Sequence, residues 1–303
     1  LIVPFVYPSS IVDTSLSSIW YYWKLCAVAC GVIYIFKRIK KIKCLEKSTW
    51  FIIVMYIMQI IASAINKLDI LYDFKTAVMM GVFVLVVSFL LYEYGNRAIL
   101  FFYRLVNVFI WLNFLSVIFL YGRGIARDSY DTAIYFWSTK NHIISLTIVY
   151  LVIIFYLYNE NYIHKKGFLS GVSVATIAVF LMGSSTAITA LIVLGVFMWY
   201  CTVCNKRKKP ANMKAGIVIG VIADVAIVVF RVQEKLGLFI GTIFGKDTTL
   251  TGRTDLWDQA LELIGIHFLY GKGDSYALNQ YGWLTKTYWK MCILLHIISS
   301  WRF

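Results

Sequence analysis

Residues that break or solvate a soluble fold are scarce in this chain. Three prolines in 303 residues and no polar low-complexity tract argue against long disordered parts. Only 15% of the residues are charged, where about a quarter is usual in globular proteins. Acidic residues are the rarest charged class, 15 against 29 Lys and Arg, and leave a net charge of +14. The six cysteines are scattered and lie mostly in apolar runs. Cys26 and Cys30 stand one helical turn apart, and Cys201 and Cys204 form a lone C-x-x-C with no second pair to complete a zinc site. They are expected to be small buried apolar residues. The chain begins on Leu1 and has no leader with a basic n-region, which reads as a fragment or as a start codon translated literally.

Apolar residues fill the rest. Sixty per cent of the chain is A, V, I, L, M, F, W, Y or C, and the mean hydropathy is +0.75. A soluble particle of this size could not hide so much apolar surface, so the class is a polytopic membrane protein. Near-spanning runs fall at roughly 18–36, 49–65, 76–92, 98–121, 143–158, 167–183, 186–203 and 215–230. They are too long and too uniformly apolar for barrel strands. The expected fold is all-α, with about eight transmembrane helices in a bundle over 1–230, a large extracytoplasmic loop over 231–282 carrying amphipathic helices, and an aberrant C-terminal tail over 283–303.

The basic residues set the orientation. The connections after the first, third, fifth and seventh runs hold fourteen Lys and Arg, six of them in KRIKKIKCLEK (37–47) and five in NKRKKPANMK (205–214). The alternate short segments, 1–17, 66–75, 122–142 and 184–185, hold five. The strongly basic loops are therefore assigned to the cytoplasm, and 231–282 to the outside. The net charge of +14 is mainly this topology signal, with attraction to anionic membrane lipid as a by-product. No nucleic-acid partner is expected.

Within the outer loop stands TGRTDLWDQALELIGIHFLYGKG, residues 251–273. Thr254 suits an N-cap and Asp255 the first helical turn. Leu256, Trp257, Ala260, Leu261, Ile264 and Phe268 recur at helical spacing, and Gly271 and Gly273 end the pattern. Arg253 thus lies just before a helix N-terminus. Free backbone N–H groups, the positive dipole end and a guanidinium fork would converge on a phosphate or pyrophosphate there. A solvated loop arginine is the simpler alternative on physics alone.

The pattern S/T-G-R-T-x-x-W-x-x-A-x-x-x-I followed by G-x-G resembles the signature loop of the O-antigen ligase and Wzy-type polysaccharide polymerase superfamily. The matching residues are Thr251, Gly252, Arg253, Thr254, Trp257, Ala260, Ile264, Gly271 and Gly273. STKNHI (138–143) resembles the Lys-Asn at the outer start of a family helix, and MGSSTAITAL (182–191) the family's S-R-T-A-type turn, with Ser185 where many members carry arginine. The likeness covers about 130–275. The charge count, which uses no family knowledge, puts Lys140, Asn141, Ser184, Ser185 and Arg253 on one face of the membrane.

The resemblance implies an inverting, metal-independent glycosyltransferase of the cell (inner or plasma) membrane that needs no cofactor. It would polymerise polyprenyl-pyrophosphate-linked oligosaccharide repeat units into capsular or O-antigen polysaccharide. The alternatives are an O-antigen-type ligase and, in another class, a flippase or transporter of lipid-linked glycans; the last usually shows internal repeats, and none is convincing here. Arg253 would bind the pyrophosphate, with Lys140, Asn141, Ser184, Ser185 and Trp257 as substrate-lining candidates. A flippase and a chain-length regulator of the same pathway are candidate partners, beside the lipid-linked glycan and membrane lipid.

A family His-Asn shortly after G-x-G, the implied general base, is absent in this frame, so no catalytic residue is assigned. His296 is followed by Ile297. Reading residues 288–303 in another frame forces Leu, Glu, Asn or Asp, then Val, and permits a His-Asn. The tail is therefore expected to be a truncation or frameshift, and the 303-residue chain to be inactive as a polymerase. Other charges lie within apolar runs: Lys24 and Arg104 near enough to run ends to snorkel, and Asp224 close to mid-span, where it needs a partner or a wet cavity. His142 and His164 are read as helix-end residues, and His267 as a packing residue of the loop helix.

Overall fold

The computed structural model describes residues 3–5, 8, 10, 16–127, 132–140, 142–206, 261, 262, 265 and 266. Seven long helices follow one another: α1 Leu16–Phe36, α2 Lys47–Ile65, α3 Ile70–Tyr94, α4 Asn96–Phe119, α5 Ile143–Asn159, α6 Lys165–Met182 and α7 Ser185–Lys206. They coincide with the first seven apolar runs. The eighth expected run, 215–230, lies outside the described residues, as do Arg253, Trp257, His267 and Asp224. Five described helices, α1, α2, α3, α4 and α6, are long and apolar enough to cross a bilayer, and the shorter α5 and the stretch Ala187–Val203 of α7 are also apolar. The protein is an all-α, multi-pass membrane protein. A two-stranded antiparallel ribbon, β1 Ala126–Arg127 with β2 Ala133–Ile134, follows α4.

The ends of these helices follow from particular residues. Asp69 accepts a hydrogen bond from the Tyr72 amide at 3.0 Å and starts α3 six residues before the apolar run itself begins at 76. Lys75, counted above in a loop, therefore lies in the helix, where its ammonium sits 5.2 Å from the Tyr21 ring. A single residue, Gly95, joins α3 to α4. Its φ of +50° is a backbone state that a side chain disfavours. The turn from α6 to α7 is nearly as tight, through Gly183 in the left-handed conformation and Ser184.

Packing divides into two main apolar clusters. One joins α2 and α3 through Ile52, Tyr56, Val82, Phe83 and Val86, with Val28 and Val32 of α1 against it. The other joins α4 to α7, with Val117, Trp137, Tyr150, Val179 and Ala187 among its members. In the second cluster α6 lies so close to α5 that a Cβ on Gly171 would meet the Tyr150 hydroxyl, and would come within 2.6 Å of Ile154 Cδ1. Small residues at such crossings are how membrane helices gain contact without a hydrophobic driving force between them.

Several polar side chains inside the helices are paired. Asp73 is fully buried, accepting from Gln59 Nε2 at 3.1 Å and from the Ser63 hydroxyl. Thr49 and Ser88 share a hydrogen bond of 3.0 Å, and Ser88 also donates to Val84 O at 2.8 Å. At the end assigned to the cytoplasm, Glu93 accepts from Arg38 Nε at 2.9 Å and Lys41 Nζ at 3.1 Å. That carboxylate holds Arg38 above its ordinary pKa and ties the basic 3-10 turn Ile39–Cys44 to α3. Tyr156 OH donates to Asn96 Oδ1 at 2.8 Å and fastens α5 to α4 at that end.

The cysteines correct one expectation. Cys26, Cys30 and Cys44 are exposed and Cys201 is half-buried. For Cys26 and Cys30 on α1, an exposed thiol already has an apolar solvent and gains little from burial, whereas Cys44 sits in the basic turn that follows. Lys24 is half-buried with its ammonium 5.8 Å from the Phe5 ring. His142 and His164 do stand at helix starts, as N-cap residues of α5 and α6 whose side chains make no capping bond.

Candidate functional site

The C-terminal ends of α4 and α6 and the N-terminal ends of α5 and α7 meet at the end of the bundle that the charge count assigns to the outside. The connection between α4 and α5 does not lie loosely over it. Ile134, Tyr135, Trp137, Ser138 and Thr139 are all buried. Their backbone is held by side chains from the last turns of α4: the Phe136 amide donates to Ser116 Oγ at 2.9 Å, and the Trp137 amide to Asn113 Oδ1 at 2.9 Å. The Phe136 carbonyl accepts from Ser10 Oγ at 2.7 Å. The Trp137 ring packs against Phe109, 5.6 Å between centroids. Tyr135 OH accepts from the Gly122 amide at 3.2 Å and closes the loop on itself.

Two of the sequence-predicted residues are thereby placed. Lys140 is exposed, one residue after the buried stretch. The Thr139 carbonyl accepts from the His142 and Ile143 amides at 3.1 and 3.2 Å and starts α5 there. Ser184 is 4% exposed, and its hydroxyl accepts from the Ala187 amide at 3.4 Å as α7 begins. Ser184 is thus occupied with ending one helix and starting the next. What it leaves at this end is the amino terminus of α7, whose first amides favour an anionic or oxygen-rich ligand. Ser185 is the first residue of α7.

Lys140 and Ser184 belong to one end because Trp137, Ile143, Met182 and Ala187 share a single buried cluster. Asn141, Arg253 and Trp257 lie outside the described residues. So does most of the expected loop helix; Leu261, Glu262, Gly265 and Ile266, which are described, are helical, and Ile266 is 65% exposed. Among the described residues no group of three His, Cys, Asp or Glu side chains is placed to hold a metal ion.

Sequence reading missed Asn113 and Ser116, which organise this end. Only formal charges inside the apolar runs drew notice, while an asparagine at mid-run is also costly in lipid and marks a partner. Asn113 is 1% exposed, and its Nδ2 has no hydrogen-bond partner among the described residues.

Comparison with known proteins gives one match. Residues 170–292 fit the family model described as O-Antigen ligase. The matched segment takes in the α6–α7 turn and the whole of 251–273, and leaves STKNHI outside, so it begins about forty residues later than the likeness read from 130. No curated protein and no solved structure matches the chain.

Proposed function

We propose that this membrane protein, whose residues 170–292 fit the family model described as O-Antigen ligase, transfers glycans from lipid-linked donors and is the polymerase rather than the ligase of that superfamily. In this reading it joins polyprenyl-pyrophosphate-linked repeat units into capsular or O-antigen polysaccharide at the outer face of the cell membrane. The attacking group is a sugar hydroxyl of one lipid-linked unit, the leaving group is the polyprenyl pyrophosphate of the other, and the anomeric configuration inverts without a metal. Arg253 binds the departing pyrophosphate through both guanidinium arms, and the amide-rich start of its helix spreads the charge. Lys140, Asn141, Ser185 and Trp257 line the approach. Ser184 shapes the turn beside them, and the pathway's flippase and chain-length regulator work alongside.

The observation that carries this reading is TGRTDLWDQA followed by G-x-G inside the family-matched segment. The ligase reading keeps a specific support, the description of the matched family itself. One experiment separates them. The intact protein is expressed with its repeat-unit pathway in two hosts, one lacking its polymerase and one lacking its ligase. A restored ladder of polymer lengths in the first host supports the polymerase. Transfer of finished glycan to its final acceptor in the second supports the ligase. In whichever host responds, Arg253→Lys should cost about 10²–10³-fold in product at unchanged protein level, because the bidentate fork is lost while the charge stays. Full activity of that variant would remove Arg253 from the pyrophosphate.

A further inference from the structure

The exposed faces of the helices differ in one respect. On α2 the exposed face past its first turn is entirely apolar, with Phe51, Val54, Met55, Met58, Ile61 and Ile65. That is the face lipid asks for. On α4 the exposed residues include a stripe of Arg97, Phe101, Arg104, Val108, Trp111 and Leu115, flanked at its outer end by Leu112, Ile118 and Phe119. The stripe residues recur with alternating spacings of four and three, the period of a helix–helix seam. At its inner end the stripe borders an apolar groove of 230 Å³ that Arg97 and Phe101 help to line.

Arg97 lies in the first turn of α4, at headgroup depth. Arg104 does not. The helix begins at Asn96, before the run read from 98, so Arg104 is eight residues in, about 12 Å from the cytoplasmic end and deeper than the near-end position expected of a snorkelling residue. It is exposed and has no ion pair or hydrogen bond among the described residues. A guanidinium facing lipid at that depth is expensive, so this face calls for a cover that brings a negative charge.

The chain contains one segment that fits. The run 215–230, AGIVIGVIADVAIVVF, is expected to cross the membrane in the same direction as α4, because it leaves the basic connection NKRKKPANMK. Its one charged residue, Asp224, is nine residues beyond Ala215, about 13–14 Å from the same end. Gly216, Gly220 and Asp224 are spaced by four, which on a helix puts two glycines and the carboxylate on one face. Glycines at that spacing let a neighbouring backbone come close, and large side chains such as Phe101 and Val108 would fill the space they leave.

We propose that segment 215–230 packs in parallel along the exposed seam of α4, with Asp224 paired to Arg104 within the membrane. The pair answers both charges at once, Arg104 on the described bundle and Asp224 on the segment that follows it. The contact also sets where the chain leaves the membrane on its way to the loop that bears Arg253.

The test is a disulfide cross-link. In the full chain with its native cysteines replaced by alanine, Val108→Cys is combined with Val228→Cys, one turn outward of Arg104 and Asp224 respectively. A protease site is placed in the connection 207–214. Mild oxidation in membranes should hold the two fragments together after cleavage. Val108→Cys with Ile222→Cys, on the opposite face of the run, should not. Absence of the first link, or equal linking of both pairs, overturns the proposal. A dimer linked through Val108→Cys alone overturns it too and gives the seam to a second copy. Charge exchange reads the pair itself. Arg104→Asp and Asp224→Arg should each lower the yield of folded protein several-fold, and the double exchange should recover most of it. A double variant no better than the singles overturns the ion pair.

Discussion

The hairpin of α2 and α3 and the bundle of α4 to α7 solve one problem by different means. In each, apolar helices must find a fixed partner in a solvent as apolar as themselves. The hairpin does it with polar groups drawn inside: Asp73 with Gln59 and Ser63, and Thr49 with Ser88. The bundle relies mainly on shape, with Gly171 against Tyr150 and Trp137 seated among α4 side chains, supported by neutral hydrogen bonds such as Tyr150 OH to Asn107 Oδ1 at 2.7 Å. The half with a charged clasp carries none of the proposed site residues. The half built on shape carries Lys140, Ser184 and Ser185. A binding surface gains from neutral, close-packed support, because a buried carboxylate beside it would repel a pyrophosphate.

The comparison can be broken first at Trp137. Trp137→Ala removes a large side chain from the bundle cluster, and a cost of about 3–5 kcal/mol is expected. It should appear as a lower thermal midpoint of the purified protein and as faster proteolysis between Leu120 and Ile143. An unchanged midpoint would mean that shape at this end does not hold the bundle.

Asp73 probes the other half. Asp73→Ala should cost about 2 kcal/mol, since it leaves the Gln59 and Ser63 donors without their shared acceptor. Asp73→Asn, which keeps one acceptor oxygen, should recover more than half of that. The loop near Trp137 should remain as protease-resistant as before. If Asp73→Ala loosens that loop as much as Trp137→Ala does, the two halves are one cooperative unit and the distinction fails.

The smallest effect is at the cap. Asp69→Ala removes the acceptor for the Tyr72 amide and should cost about 1 kcal/mol. Amide exchange should quicken in the first turn of α3 and nowhere in α5 or α6. Faster exchange in α5 would again argue for coupling between the halves.

Much of the fold was legible before any coordinates. Seven described helices coincide with seven apolar runs, because a chain in lipid must satisfy its backbone within each segment and hydropathy marks where that happens. The start of α3 was read six residues late. Tyr72, Asp73 and Lys75 lower the hydropathy there, while the cap at Asp69 and the buried partners of Asp73 sustain the helix regardless. The turn at Ser184 was legible because it is a contiguous string, as is the motif around Arg253, which falls within the family-matched segment. Asn113 and Ser116 were not, since their partners stand more than twenty positions away in Trp137 and twenty in Phe136.

Sequence alone determined that this is a multi-pass helical membrane protein and where its first seven helices run. It also picked out the segment that carries the family signature. Tertiary structure decided which side of each helix packs. A span that is apolar on every face offers no period from which to read that side, so Asp73 and Arg104 look alike as charges within or beside apolar runs. Only the neighbours tell them apart: the side chains of α2 close around Asp73, and none of the described helices covers Arg104.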